Sequence, residues 1–300
     1  MELRQLYYFV KVAKKEHVTQ AAEELHVAQS AVSRQIHQLE EELGVKLFVQ
    51  KGRNLQLTPV GQLFLRRADE ILHDLERAVQ EVHEFLDPEK GEIRLGFPHS
   101  LGISLVPQVV ASFRSLNPDV RFRFKQGMYP TLIRDLLKGD IDLAFISPVP
   151  SDVEQVSGKT LIVEELYAVL PSSHPLASRT QIRLEDLKND HFIMFSEGYS
   201  LRPLVLNACE TAGFSPKIAF EGEETETIRG LVAAGMGVSL LPKLAVEYVS
   251  PLPIAVVKVV DPVVTRNIGI IYRTNEKLPL VAKVFYNFLM NYFANDIKNT

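Results

Sequence analysis

Residues 59–86 carry the pattern that most limits how this chain can fold. Seven apolar side chains recur there at alternating intervals of four and three residues: Phe64, Ala68, Ile71, Leu75, Ala78, Val82 and Phe85. A mean spacing of 3.5 residues is typical of a seam along which two helices pack. Thr58 and Pro59 carry the signals of a helix start. We therefore expect one long helix that joins two copies of the chain, because the stripe is too long for one small domain to cover.

The residues before this helix predict short helices followed by two strands. A buried stripe at spacings of four, three and four residues marks a helix over residues 29–43: Val32, Ile36, Leu39 and Leu43. Gly44 is expected to end that helix. The preceding helix is expected to be capped by Thr19 and to bury Ala21 and Ala22, whose small side chains let the next helix approach. Two helices across a short turn are typical of a helix-turn-helix, whose second helix enters the DNA major groove.

The outer face of helix 29–43 and the segment after it carry the predicted DNA contacts. Residues expected to read bases, or to let the helix sink into the groove, are Gln29, Ser30, Ser33 and Arg34. Residues 46–49 and 54–57 predict a two-stranded wing around a basic turn. Residues expected to contact phosphate are Thr19, Gln20, Lys51 and Arg53. The net charge is −4, yet residues 43–68 contain five basic side chains and no acidic one, so one surface can be basic.

Six N-terminal segments resemble the signature of LysR-type transcriptional regulators. They are residues 3–9, 21–22, 27–36, 39–44, 47–48 and 57–61. This resemblance implies an α/β protein with an N-terminal winged helix-turn-helix, a long linker helix and a C-terminal two-lobed domain like a type 2 periplasmic binding protein. It further implies double-stranded promoter DNA, a small-molecule effector and RNA polymerase as partners, and dimers that can pair into tetramers. Gln50 stands where the family usually has arginine, which implies a weaker phosphate clamp at the wing.

The resemblance also divides the chain. Residues 1–58 form the DNA-binding domain, 59–86 the linker helix, 87–91 a hinge and 92–300 the effector domain, with lobe I at 92–160 and 266–300 and lobe II at 161–265. Residues 85–91 and 96–98 are similar to the glutamate synthase operon activators of the family. That similarity implies an activator whose effector is a small carboxylate of nitrogen metabolism.

After Gly91, strand and helix patterns alternate, which favours parallel α/β sheets, and a last helix at about 279–297 is expected to pack on lobe I. In such sheets, ligands bind beyond the carboxyl ends of the strands. The loops at those ends nominate a cleft lined by Ser100, Leu101, Gly127, Met128, Ser147, Ser196, Ser200, Arg202 and Glu223. Arg202 is our first choice for a carboxylate partner, although a surface arginine fits the same pattern. Ser100 and Ser200 also fit simple helix caps.

Other classes of protein find little support. Motifs of nucleophilic hydrolases, zinc proteases and nucleotide binding are absent, so we expect no catalytic residue, no cofactor and no metal site. The single cysteine, Cys209, fits a buried thiol. Apolar runs reach only five residues and no leader peptide is evident, so we expect a cytoplasmic protein with no membrane partner. A solute-binding protein of a transport system and a regulator with a vestigial enzyme domain remain open alternatives.

Overall fold

A computed structural model describes residues 1–51, 54–86, 91–246 and 252–296. The chain divides into two compact units, Met1–His83 and Glu84–Thr300. The first unit contains α1 (Leu3–Lys15), α2 (Val18–Glu24), α3 (Gln29–Leu43), β1 (Phe48–Lys51), β2 (Asn54–Leu57) and all but the last three residues of α4 (Pro59–Leu86). Strands β1 and β2 form an antiparallel hairpin in which Phe48 pairs with Leu57.

The first unit is built around one apolar cluster. Val32, Ile36 and Leu39 of α3 are buried in it, together with Ala21 and Ala22 of α2. Gly44 ends α3 with a φ of +68°, a left-handed conformation that glycine adopts without strain. The small alanines therefore allow α2 and α3 to pack closely.

The predicted cap of α2 is wrong. The helix begins at Val18, and the extended residue before it, His17, occupies the N-cap position. Thr19 is therefore already the second residue of the helix and cannot cap it. Cap preferences act on the last non-helical residue, and here the chain enters the helix earlier than the threonine suggests.

The start of α4 is fixed against the hairpin. The hydroxyl of Thr58 accepts a hydrogen bond from the Gly61 N–H at 2.9 Å and donates to the Lys46 carbonyl at 2.8 Å. A Cβ on Gly61 would lie 2.1 Å from the carbonyl oxygen of Leu47, so only glycine fits there. Pro59 occupies the first helical position, where its missing N–H costs no hydrogen bond.

The second unit alternates strands and helices. The strands are β3 (Glu92–Phe97), β4 (Arg121–Gln126), β5 (Leu143–Ile146), β6 (Val156–Pro171), β7 (Gln181–Arg183), β8 (His191–Phe195), β9 (Lys217–Gly222), β10 (Ser239–Pro242), β11 (Ile254–Asp261) and β12 (Thr265–Arg273). The helices are α5 (His99–Gly102), α6 (Leu105–Leu116), α7 (Tyr129–Lys138), α8 (Leu201–Thr211), α9 (Thr225–Ala233), α10 (Lys243–Val246) and α11 (Leu280–Asp296), and a 3-10 turn covers Leu184–Leu187.

The sheets are mixed, which corrects the expectation of parallel ones. Strand β3 is parallel to β4 and β5, and β8 is parallel to β9. Strand β12, however, is antiparallel to β5 and β6, and β10 and β11 are antiparallel to β6. The order along the main sheet is β4-β3-β5-β12-β6-β11-β7. The reason is that β6 and β12 carry the chain across the unit in opposite directions.

The two largest apolar cores of the second unit identify the lobes. One core contains side chains of β3, α6 and β5, and also Phe285 and Leu289 of α11. The other is built from residues between Leu166 and Val264. We call these regions lobe I and lobe II, and β6 and β12 connect them side by side, with Glu165 opposite Thr265.

Membrane-spanning helices and metal centres are both absent from the described residues. No helix within them is both long enough and apolar enough to cross a membrane. The same residues contain no group of three histidine, cysteine or acidic side chains placed to hold a metal ion.

Candidate functional site

The outward face of α3 presents the polar side chains that the sequence nominates for base contacts. Gln29, Ser30 and Arg34 are exposed and Ser33 is half-buried. The Gln29 amide donates a hydrogen bond to the Ser33 hydroxyl at 3.1 Å. The guanidinium of Arg34 forms no ion pair within the part of the chain that the structure describes. This face of α3 is therefore free to meet an external surface.

A buried glutamate, which sequence reasoning missed, fixes α3 relative to the wing. Glu40 accepts hydrogen bonds from the backbone N–H groups of Leu47 at 2.8 Å and Phe48 at 3.2 Å, and from the Lys46 ammonium at 2.7 Å. Burial alone would raise the pKa of Glu40, but these donors outweigh burial and lower it. The sequence signal for a buried role of Glu40 was its position directly after Leu39, on the buried side of α3.

The predicted phosphate contacts lie at the ends of other elements. Thr19 and Gln20 are exposed at the start of α2, and Lys51 is exposed at the end of β1, next to exposed Gln50. Arg53 lies outside the described residues. The structure therefore presents three of the four predicted contacts to solvent, each on the first unit.

Helix α4 has two apolar faces rather than one seam. Ala68 and Leu72 are buried against the first unit, and the Phe64 ring lies 5.1 Å from that of Phe9. The exposed apolar face comprises Leu63, Ile71, Leu75, Ala78, Val79 and Val82. Phe64 and Ala68 thus depart from the predicted stripe because they complete their own domain. The side chain of Phe85 is outside the described part.

A cavity of about 40 Å³ lies between lobe I and lobe II. Six of the nominated residues line it: Ser100, Gly127, Met128, Ser147, Ser200 and Glu223. Ser100 lies within α5, and Ser200 precedes α8 without a capping hydrogen bond, so neither side chain is a helix cap. The cavity is small compared with typical ligand pockets, so the lobes enclose little free space.

Three nominated residues are not in the lining. Leu101 is fully buried in the lobe I core. The backbone N–H of Ser196 donates to the Gly222 carbonyl at 3.0 Å, which links β8 to β9. Arg202 donates to the Phe195 carbonyl and to Glu221, each at 2.8 Å. Arg202 therefore has partners on lobe II and is not among the residues that line the cavity.

The cation of the cavity is Arg266, which sequence reasoning missed. Its Nε donates to Glu164 Oε2 at 2.6 Å, and its Nη1 donates to the Ser100 hydroxyl at 3.0 Å. Nη2 is buried with no hydrogen-bond partner among the described residues. Burial lowers the pKa of Arg266, and the charge of Glu164 opposes that effect. Arg266 shares the inward face of β12 with Ile268 and Ile270, and a charge on such a face was the signal in the sequence.

The opposite wall of the cavity belongs to lobe II. Burial raises the pKa of Tyr199, and the negative charges of Glu223 and Glu224 add to that effect. Thr225 begins α9 and is buried beside them. Glu223 itself is exposed. The cavity thus has a buried positive charge on the side of the crossing strands and negative charge on the lobe II wall.

Residues 3–62 match the bacterial regulatory helix-turn-helix protein domain of the lysR family, and residues 86–294 match the LysR substrate binding domain. The transcriptional dual regulator GltC of Bacillus subtilis is 44% identical over 294 residues, 98% of each chain. The crystal structure of CbnR, a LysR family transcriptional regulator, has 26% identity and a TM-score of 0.78, covering 97% of this chain and 99% of that one. The effector binding domain of QuiR in complex with shikimate has 30% identity and a TM-score of 0.63, covering 68% of this chain and 98% of that one.

Proposed function

Because the chain belongs to the LysR family of bacterial transcriptional regulators, we propose that it reads promoter DNA with α3 and responds to a small carboxylate bound between its lobes. Members of this family combine a helix-turn-helix with an effector-binding domain and are not enzymes. Family membership therefore decides against the transport and enzyme alternatives. The observation that carries the carboxylate proposal is the unpartnered Nη2 of Arg266 in the cavity.

A carboxylate supplies what Arg266 lacks. A buried donor without an acceptor costs about 1–3 kcal/mol, and more when the group is charged. A carboxylate oxygen accepts from a guanidinium in a strong, charge-assisted hydrogen bond, and Ser100 places a hydroxyl beside it.

We further propose that the effector is a carboxylate of nitrogen metabolism and that the protein activates transcription together with RNA polymerase in the cytoplasm. The support is the 44% identity with a protein named as a transcriptional dual regulator. The proposal of a nitrogen-metabolism carboxylate is supported by residues 85–91 and 96–98, which are similar to the glutamate synthase operon activators.

For DNA, we propose that Arg34 and Gln29 contact base edges while Ser30 and Ser33 allow α3 to approach the groove. The residues proposed to contact phosphate are Thr19, Gln20, Lys51 and Arg53. The exposed apolar face of α4 is the proposed dimer contact, since two copies then present two α3 helices to adjacent half-sites. Pairing of dimers into a tetramer belongs to the same proposal.

The carboxylate proposal is tested by binding to the full chain. Thermal shift and calorimetry with acetate, succinate, glutarate, 2-oxoglutarate and glutamate measure affinity for native protein, Arg266→Lys and Arg202→Lys. Lysine keeps the charge next to Glu164 but lacks the guanidinium fork, so Arg266→Lys is expected to weaken binding about tenfold or more, the equivalent of one charged hydrogen bond. Arg202→Lys is the matched control, because Arg202 does not line the cavity and its ion-pair partner, Glu221, does not line it either. Equal affinity of native protein and Arg266→Lys refutes the site.

A further inference from the structure

Glu164 connects the cleft cation to a different part of the fold. One carboxylate oxygen accepts from Arg266 Nε at 2.6 Å, and the other accepts from the backbone N–H of Leu244 in α10, also at 2.6 Å. The side chains of Glu164 and Arg266 are each only 4% exposed. Because both oxygens have a strong donor, a change at Arg266 reaches the backbone of α10 through a single side chain.

Helix α10 touches both lobes. It follows β10, which belongs to the sheet of lobe II. The carbonyl of Leu244 nevertheless accepts a hydrogen bond from the Ser104 hydroxyl of lobe I at 3.1 Å, and the Leu244 side chain packs against the lobe I core. Ser104 is 2% exposed, so this contact is shielded from water. The position of α10 therefore depends on how one lobe lies relative to the other.

From these contacts we propose that Glu164 is a positioning residue that transmits occupancy of the Arg266 site to α10 and so to the arrangement of the lobes. The inference rests on the proposed function, because it takes a carboxylate at Arg266 as its input. An anion bound at Nη2 shares the positive charge of Arg266 with Glu164, so the attraction between Arg266 and Glu164 becomes weaker. The hydrogen bond that Glu164 accepts from the Leu244 N–H then becomes stronger, so ligand binding holds α10 more firmly in place.

The neighbouring glutamate provides a matched control. Glu165 follows on the same strand but pairs with Lys258 at 2.9 Å, and both side chains are partly exposed. Alternate residues of a strand point to opposite faces, so Glu165 cannot take part in the contact with Leu244. A neutral substitution at Glu165 changes the charge of β6 without touching Arg266.

Glu164→Gln separates the two roles, because an amide has one acceptor oxygen where a carboxylate has two. We expect that oxygen to stay with the charged donor of Arg266 and the Leu244 N–H to be left without its acceptor. Full-length native protein, Glu164→Gln and Glu165→Gln are compared with whichever of succinate, glutarate, 2-oxoglutarate and glutamate stabilises native protein most. Calorimetry gives ligand affinity, hydrogen exchange reports the Leu244 amide, and anisotropy gives the effect of ligand on promoter affinity.

We call this proposed transmission from Arg266 through Glu164 to α10 the relay. It predicts that Glu164→Gln binds the carboxylate at least as tightly as native protein, because the negative charge that competes with the ligand for Arg266 is gone. Its Leu244 amide gains no protection beyond that of the rest of lobe II, and its promoter affinity no longer changes with ligand, whereas Glu165→Gln behaves like native protein. Ligand-dependent protection and DNA response that persist in Glu164→Gln overturn the relay and leave the carboxylate site intact. If no carboxylate binds native protein, the proposed function fails first.

A second variant keeps the test decisive if Glu164→Gln does not fold. Ser104→Ala removes the bond that ties the Leu244 carbonyl to lobe I and leaves Arg266 and Glu164 unchanged. We expect ligand affinity within about twofold of native, because no cavity group is altered, and a loss of the ligand effect on promoter affinity. A full DNA response in Ser104→Ala overturns the inference.

Discussion

Replacement of Arg34 by alanine separates base reading from general attraction to DNA. The side chain is exposed on α3 and forms no ion pair with the described residues, so its removal disturbs little in the folded state. The free energy of unfolding should therefore change by less than about 0.5 kcal/mol. Any decrease in the DNA affinity of the variant then belongs to the interface.

The size of that decrease follows from the two-fold arrangement proposed for α3. One bidentate contact to a guanine is worth about 1–3 kcal/mol of discrimination against a wrong base. A dimer places two copies of Arg34 on its site, so binding should weaken by about 2–6 kcal/mol, roughly thirtyfold in affinity at the lower end. The same change on unrelated DNA should be much smaller, since no base pair is matched there.

Fluorescence anisotropy with a promoter fragment and a scrambled fragment, repeated over a salt series, measures both quantities. Lys51→Ala is the matched control, because Lys51 is an exposed cation of the same unit. It should weaken both DNAs alike and lower the salt slope by about one unit for each phosphate that is no longer neutralised. The base-reading assignment is refuted if Arg34→Ala weakens both fragments equally with a reduced salt slope.

Three further outcomes are expected. Val82→Arg, on the exposed apolar face of α4, should shift sedimentation from dimer to monomer while the thermal unfolding of the first unit is unchanged; a persistent dimer contradicts the proposed contact. Burial raises the pKa of Cys209 to about 12, so a disulfide reagent at pH 8 should leave the native thiol unmodified and react with it only after unfolding. Glu40→Gln should cost about 1.5–3 kcal/mol of unfolding free energy at pH 7. Because the folded-state pKa of Glu40 is lowered, its contribution is complete above the ordinary value of 4.5 and disappears as the pH falls through the folded-state value, so melts of the two proteins should converge in acid.

Sequence reasoning succeeded where the determinants of structure are local. The fold class is confirmed, and α3 and α4 begin and end where stripe, cap and proline place them. Val32, Ile36 and Leu39 lie in one core because helical periodicity alone assigns them to one face. The cap of α2 shows the limit of this reasoning, since His17 and Thr19 compete for one position and the backbone decides between them.

The sequence predicted only part of the candidate site, because some of its residues are brought together by contacts between distant parts of the chain. Loops after strands identified six residues of the cavity, because strand ends gather at one edge of a sheet. Arg266 escaped notice because it lies within a strand and becomes part of the cavity only through pairing of β12 with β6. Arg202 looked suitable in the sequence, but its partner Glu221 lies 19 residues away and is visible only in the fold. The sequence also did not predict β7, because this strand is three residues long and only Ile182 in it is buried, which is too little to produce a periodic pattern.

Because β6 and β12 are adjacent, lobe II is connected to the rest of the second unit like a domain inserted at one point of another domain. Glu165 and Thr265 face each other in register, so the segment predicted as lobe II, residues 161–265, begins and ends at neighbouring points. Segments with closely spaced ends are the ones that domain insertion tolerates. A graft of this segment from a relative would replace the wall around Tyr199 and Glu223, and with it Glu164, the ion-pair partner of Arg266, whereas Arg266 and Ser100 would remain. One such exchange would therefore change the lobe II wall of the proposed carboxylate site and leave α3, the proposed base-reading helix, unaltered.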